Sequence, residues 1–514
     1  MNSLQLWSCL FLLLYVVAMI GFGLLGRKMV TGSDTFATAR RSYGPFVLAL
    51  AFASTTASGA TFLGIPGLAY QHGFSALWYA FLYPVGVYAG ILLSQRTIGR
   101  YGNQVGARSI PEFLGERFQS DGLRLGSAVF SLILLFYLAA QLLAGIVMFQ
   151  MMLGLPPLIA LSTTTAVLLV YVTMGGAHAD ILTDGVQAAL MLLLALAITL
   201  MFAFGTGLDG GFAVVVERLQ SLDPQLIRVI HPESLFYDGA WALFAIFLAH
   251  VPLGLMPHIG NKLWALRDER DRRRFLQYAF VMGMIMPAMV FGGILARAVL
   301  GDELLDTGGA NSAIPALFIE LFPAWLAALL GIAILAAVMS TADGLVLSTS
   351  QVFANDLYRR TILPRLKKAD SNFDPDRSVL WVSRLATVAT LIAAMAMAWL
   401  FIGTNIALLV WVGIGGFTAA LAGPIVLGSV WRRATRSGAA WAFWSGAATF
   451  VALHSGVFPF ELLGSAGEWL LSRSPSPFSC SAIGSLVSMA VLVLVSLVSQ
   501  PLHDDHVAEV FAGQ

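Results

Sequence analysis

Charge is what this sequence has least of. Of its 514 residues only 11% are Asp, Glu, Lys or Arg, while 58% are hydrophobic; soluble domains carry about 25% charged residues. So thin a supply cannot coat a water-soluble protein of this length, which excludes an ordinary cytosolic enzyme and a disordered chain. Cysteine is nearly missing too. Cys9 and Cys480 lie far apart, each in or beside an apolar stretch. They read as small hydrophobes, not as a disulfide scaffold or a metal site. The net charge of +1 gives no electrostatic footprint for nucleic acid. No phosphate loop and no Ser-His-Asp order at usable spacing is present, and carboxylates are sparse in the apolar runs. An enzyme is therefore not indicated. The stretch after residue 500 is too short for the signalling domain of a membrane sensor.

What the chain has is apolar runs, each about the ~20 residues that cross a bilayer core. The expected fold is all-α: a polytopic membrane protein with thirteen spans near 5–25, 45–70, 77–98, 126–152, 157–174, 183–205, 238–261, 275–299, 323–354, 379–402, 405–430, 437–455 and 481–500. No Lys or Arg precedes the first run, whereas Arg27 and Lys28 follow it. A cleaved signal carries its charge first, so this run reads as a retained span with its N-terminus outside. Alternation of loops then puts all but four of the 29 Lys and Arg on one side, the exceptions being Arg218, Arg228, Arg297 and Arg473. The positive-inside rule makes the rich side cytoplasmic, with the C-terminus there as well. The tail holds His503-Asp504-Asp505-His506, which reads as a solvated segment in preference to a metal site. Between 300 and 322, Ser312–Phe318 predicts a short helix on the outer face.

Two spans look broken. Ser54-Thr55-Thr56-Ala57-Ser58-Gly59 fills the middle of the second with hydroxyls and small residues, and Gly64-Ile65-Pro66-Gly67 follows. The seventh carries Pro252, Gly254, Pro257, His258 and Gly260. Singly, each break could be a mere kink or packing site. Together they open two consecutive five-helix sets, and five is odd, so the second set is inverted. Interrupted helices at matching places in inverted halves point to a transporter with a midplane binding site. The expected organisation is a first span and loop (1–44), a first repeat (45–205), a second repeat (206–430) and two further spans with the tail (431–514).

The ninth span carries Ser340 and Thr341, adjacent hydroxyls in an apolar helix. Each could bond back to its own helix. The alternative is sodium, a hard cation satisfied by hydroxyl and carbonyl oxygens without added charge. A proton-coupled carrier or a channel on the same scaffold is a competing reading, but the hydroxyl pair offers no titratable group.

At these residues the chain resembles the sodium:solute symporter family, across roughly residues 5–455. The matching motifs are Gly64–Gly73, the Gly175–Gln187 stretch with Asp180 and Asp184, Met339-Ser340-Thr341-Ala342-Asp343, and Gly413-Ile414-Gly415-Gly416 with Gly423-Pro424 and Trp431. The resemblance implies a leucine-transporter-type fold. It implies sodium-coupled uptake of a small organic solute across the plasma membrane, with Na⁺ as coupling ion and no organic cofactor. The implied ligands are the carbonyls of Ser54, Ala57 and Ala337 with the hydroxyls of Ser340 and Thr341. Asp184 would lie on the ion's cytoplasmic route, or else cap the sixth span. The implied solute pocket draws on Thr55, Thr56, Ser58, Gly59, Gln141, His258 and Trp411, although His258, Gln141 and Trp411 could simply pack or bridge helices. Residues 219–226 and Pro257-His258 are most similar to the pantothenate-permease branch, which suggests a carboxylate. That branch has an Arg where this chain has Asn261-Lys262. Solute, bilayer and no nucleic acid are the implied partners; sodium stoichiometry and oligomeric state stay open.

Overall fold

A computed structural model describes residues 1–306, 309–366 and 374–512, without the side chains of 170–175, 306, 365 and 366. Lys367 and Lys368, counted above with the inside charges, lie outside the described residues. Helix follows helix throughout, and among the described residues the sole β pairing is an isolated bridge between Tyr43 and Leu266. The order is α1 (Ser3–Met29), α2 (Pro45–Thr56), α3 (Ile65–His72), α4 (Leu77–Gln104), α5 (Ile110–Phe118), α6 (Asp121–Leu153) and α7 (Pro157–Phe204). There follow α8 (Ala240–Leu255), α9 (Pro257–Ala265), α10 (Glu269–Leu300), α11 (Ala313–Leu321) and α12 (Ala324–Ile362). The chain ends with α13 (Pro375–Leu400), α14 (Ile406–Ser429), α15 (Arg436–His454), α16 (Pro477–Val498) and α17 (Asp504–Val510). Among the described residues nine helices are long and apolar enough to cross a membrane, or ten with the bent α8–α9 pair as one span. Each of the thirteen expected runs falls on helix, but α2, the first limb of α7 and α15 do not meet that test alone.

Both expected breaks are present. α2 ends at Thr56 and Ala57 leaves the helical region, with φ −90° and ψ 84°. The chain re-enters helix only at Ala60. α8 and α9 meet at 51°. Met256 is extended there, and Pro257 opens α9, where its missing N–H costs nothing. α7 kinks at Gly176, whose φ is +53°. A Cβ at Gly176 would stand 2.4 Å from Phe36 O, so only glycine lets α7 turn against that carbonyl.

α11 is the short helix expected over 312–318: Ile314, Leu317 and Phe318 are fully buried, while Ile319 and Glu320 on its other side are exposed. In the tail His503, Asp504 and Asp505 are exposed as expected, but the helix they open is packed on the protein. α17 docks on the ends of α4 and α5: Arg100 Nη2 donates to Glu509 O at 2.6 Å, and His506 Nε2 lies 3.0 Å from Arg117 O. Val510 and Phe511 are buried, with Phe511 under the guanidiniums of Arg117 and Arg432. Two apolar side chains with a buried home outweigh the solvation expected of a short acidic segment. Among the described residues no three His, Cys, Asp or Glu side chains gather to hold a metal, the tail histidines included.

Candidate functional site

The break in α2 faces the middle of α12. Ser340 Oγ donates to Ser54 O at 3.2 Å and lies 3.1 Å from Ala337 O, one turn back in its own helix. Thr341 Oγ1 donates to Thr55 O at 3.0 Å. All five residues are fully buried. Oxygens that share one small cation at about 2.4 Å sit about 3.4 Å apart along the edges of its polyhedron. Each hydroxyl–carbonyl spacing of 3.0–3.2 Å is close to that edge length, and all the oxygens are neutral. Ala57 stands at the break itself, its N–H bonded to Ala53 O. The carbonyl that meets Thr341 is that of Thr55, a residue read above only as a solute contact.

The other solute candidates divide. Gln141 Oε1 accepts the N–H of Gly59 at 2.9 Å, at the start of the helix after the break, while its Nε2 has no partner. His258 is buried edge-on to Tyr137, ring centroids 5.3 Å apart, with neither ring nitrogen bonded. Ser58 Oγ accepts from Ala60 N. Thr56 bonds back to Phe52 O, the ordinary fate of a helical threonine. Trp411 lies in an aromatic cluster: its Nε1 donates to Tyr79 OH at 3.1 Å, and its ring stands 4.4 Å from that of His250 and 5.1 Å from that of Phe478. Neither Tyr79 nor His250 was anticipated, because nothing in the local sequence separates them from packing residues.

Asp184 does not cap a helix. It stands well inside the Gly176–Phe204 limb, fully buried, where its Oδ2 accepts from Thr55 Oγ1 at 2.7 Å and from Lys262 Nζ at 2.6 Å. Lys262 also reaches Asp180 Oδ2 at 2.5 Å. The sequence placed Lys262 among the loop charges, but it is 4% exposed. The bend before Pro257 folds the segment back into the protein and takes the lysine with it. A small cleft of about 20 Å³ beside the triad is lined by Asp180, His258, Asn261, Lys262, Gly344 and Ser348.

Outside the spans, α5 gathers a second charge cluster. Glu112 accepts from Arg359 Nη2 at 2.9 Å, from Arg360, from Asn355 and from the N–H of Arg108. Burial alone would raise its carboxyl, but the two guanidiniums and the hydrogen bonds outweigh it and hold Glu112 below its ordinary value.

An all-helical membrane bundle in which an interrupted helix meets a buried oxygen cluster is the arrangement that secondary transporters use. The family model for the sodium:solute symporter family matches residues 36–446, and the chain belongs to that family. It is 29% identical over 450 residues to the high-affinity proline transporter of Bacillus subtilis, covering 84% of this chain and 89% of the relative. It is 27% identical over 436 residues to the sodium/pantothenate symporter of Haemophilus influenzae, covering 83% and 86%. Among solved structures, a substrate-bound, outward-open Na⁺-coupled sialic acid symporter superposes with a TM-score of 0.75 at 18% identity, over 96% of this chain and 98% of that one. That likeness speaks for the fold.

Proposed function

We propose that this protein takes up a small organic carboxylate with sodium across the plasma membrane by alternating access, N-terminus outside and C-terminus in the cytoplasm. The observation that carries the reading is the meeting of the α2 break with Ser340 and Thr341 at 3.0–3.2 Å. The ion's ligands are the carbonyls of Ser54, Thr55 and Ala337 and the two hydroxyls, with Ala57 completing the set at the break. Because the ligands belong to two helices, ion binding ties α2 to α12 and favours one side-opening of the carrier over the other. Coupling is reciprocal: sodium tightens the solute by the factor with which solute tightens sodium. One charge moved down ~100 mV supplies about 2.3 kcal/mol towards uptake.

Gln141 Nε2 and the ring nitrogens of His258 are buried groups without partners. Such groups are costly unless a ligand satisfies them, and as donors they suit a carboxylate. The proline and pantothenate carriers among the relatives support the same class. The two inverted repeats, 45–205 and 206–430, supply the broken helices α2–α3 and α8–α9.

The test is a thermal-shift screen of purified protein against proline, pantothenate and other small carboxylates, amino acids and sugars, with and without sodium. A carboxylate that stabilises only with sodium is the expected result; a sodium-independent sugar as sole hit overturns it. Thr341→Ala should raise the sodium needed for transport about tenfold, the worth of one ligating oxygen at ~1.4 kcal/mol. Unchanged sodium dependence counts against the site.

A further inference from the structure

Two carboxylates and one ammonium share a buried space directly behind the proposed sodium site. The triad is tied to that site by an unbroken series of bonds. Lys262 Nζ meets Asp184 Oδ2 at 2.6 Å, Asp184 Oδ2 meets Thr55 Oγ1 at 2.7 Å, and Thr55 O meets Thr341 Oγ1 at 3.0 Å. Asp180, Asp184 and Lys262 are 7%, 0% and 4% exposed. The second oxygens of both carboxylates, Asp180 Oδ1 and Asp184 Oδ1, have no partner. With both carboxylates ionised the formal charges sum to one negative charge, which either a proton or a cation from solution can balance. Uncompensated buried charge is costly, so it draws a counter-charge. The place for one that Thr55 ties to Asp184 is the neutral oxygen cluster of Ser54, Thr55, Ser340 and Thr341, which brings no charge of its own.

We propose that Lys262 sets the sodium demand of this carrier, its tethered ammonium balancing one of the two carboxylates so that a single solution cation balances the other. The inference rests on the sodium reading above and adds a rule to it: affinity and ion count follow the net charge of the triad. With Lys262 in place the triad attracts one ion. Without it, two buried carboxylates are left to take either a second cation or a proton from solution, and the ion count tells the two apart. Without Asp180 the triad is neutral, and the oxygen cluster must hold sodium unaided. The ammonium also bridges α9 to α7, and Asp184 bridges α7 to α2, so the same bonds hold the α2 break closed on this side.

The experiment uses full-length protein in detergent. Sodium is varied against choline at fixed ionic strength and read by thermal melting and by equilibrium binding of radioactive sodium. Lys262→Met should lower half-saturating sodium about tenfold or add a second ion per chain, as expected for a unit charge at this range in a partly polar interior. Asp180→Asn should raise it about tenfold. The pair of changes together restores the original net charge, and should return affinity and ion count to those of the unaltered chain. A merely structural triad predicts the opposite, two losses that do not cancel. Equal titrations for the unaltered chain and K262M, or a double variant worse than both singles, overturn the proposal. If K262M does not fold, D180N decides alone: unchanged half-saturating sodium overturns it. Failure of the underlying reading looks different, for then the unaltered chain and T341A show no sodium-dependent stabilisation at all.

Discussion

At the scale of single residues, the informative ones are polar groups that the protein buries and then uses twice. Thr55 gives its hydroxyl to Asp184 and its carbonyl to Thr341. Gln141 accepts from Gly59 at the start of the helix after the break, while its amide nitrogen has no partner. Gln141→Leu would leave the Gly59 N–H unsatisfied at a cost of about 1–3 kcal/mol. It should lower the melting temperature and raise the KM for solute. A leucine variant as stable as the original would remove Gln141 from this role. The hydroxyl pair was legible because adjacent Ser and Thr are conspicuous in an apolar helix. Lys262 was not: a lysine at the end of a run looks like a loop charge unless one knows that the chain turns back at Met256.

At the scale of elements, the interruptions decide the architecture. Their positions were legible from proline, glycine and hydroxyl content, because a backbone freed from its helix in a membrane needs a protein or water partner. The kink of α7 at Gly176 falls in the gap left between the runs 157–174 and 183–205, where Gly175-Gly176 and the polar residues after them interrupt the apolar pattern. Gly176→Ala puts a Cβ 2.4 Å from Phe36 O at a φ of +53°. Strain of about 1–3 kcal/mol should follow, read as a fall in melting temperature and in folded yield; an alanine variant of full stability would show that α7 need not bend there. The α5 cluster makes a pH prediction. The Glu112 carboxyl is held below its ordinary value of 4.5. Its contribution to stability is therefore complete above that value and is lost as pH falls through the depressed one. Acid denaturation followed by tryptophan fluorescence should show a shallower low-pH limb in Glu112→Gln.

At the scale of the whole molecule, the all-helical membrane class was plain from composition alone, since charge at 11% leaves no other way to cover 514 residues. The proposed side of each loop rests on the lysine and arginine distribution, and labelling can test it. In a Cys9→Ser background, a cysteine at exposed Ser221 should react with an impermeant thiol reagent in intact cells. A cysteine at exposed Arg270 should react only after permeabilisation. The reverse pattern would invert the topology. Arg297 shows the limit of such counting: it is buried, paired with Asp302 and set over the Tyr70 ring, so it reports packing and not sidedness.

The docked tail has a practical bearing. Phe511 and Val510 fill a niche roofed by arginines, so an affinity handle or fluorescent fusion spliced on before them deletes the plug and leaves Arg117 roofing an open hole. Expression vectors for this carrier should keep residues 503–511 intact and attach any appendage through a spacer beyond them.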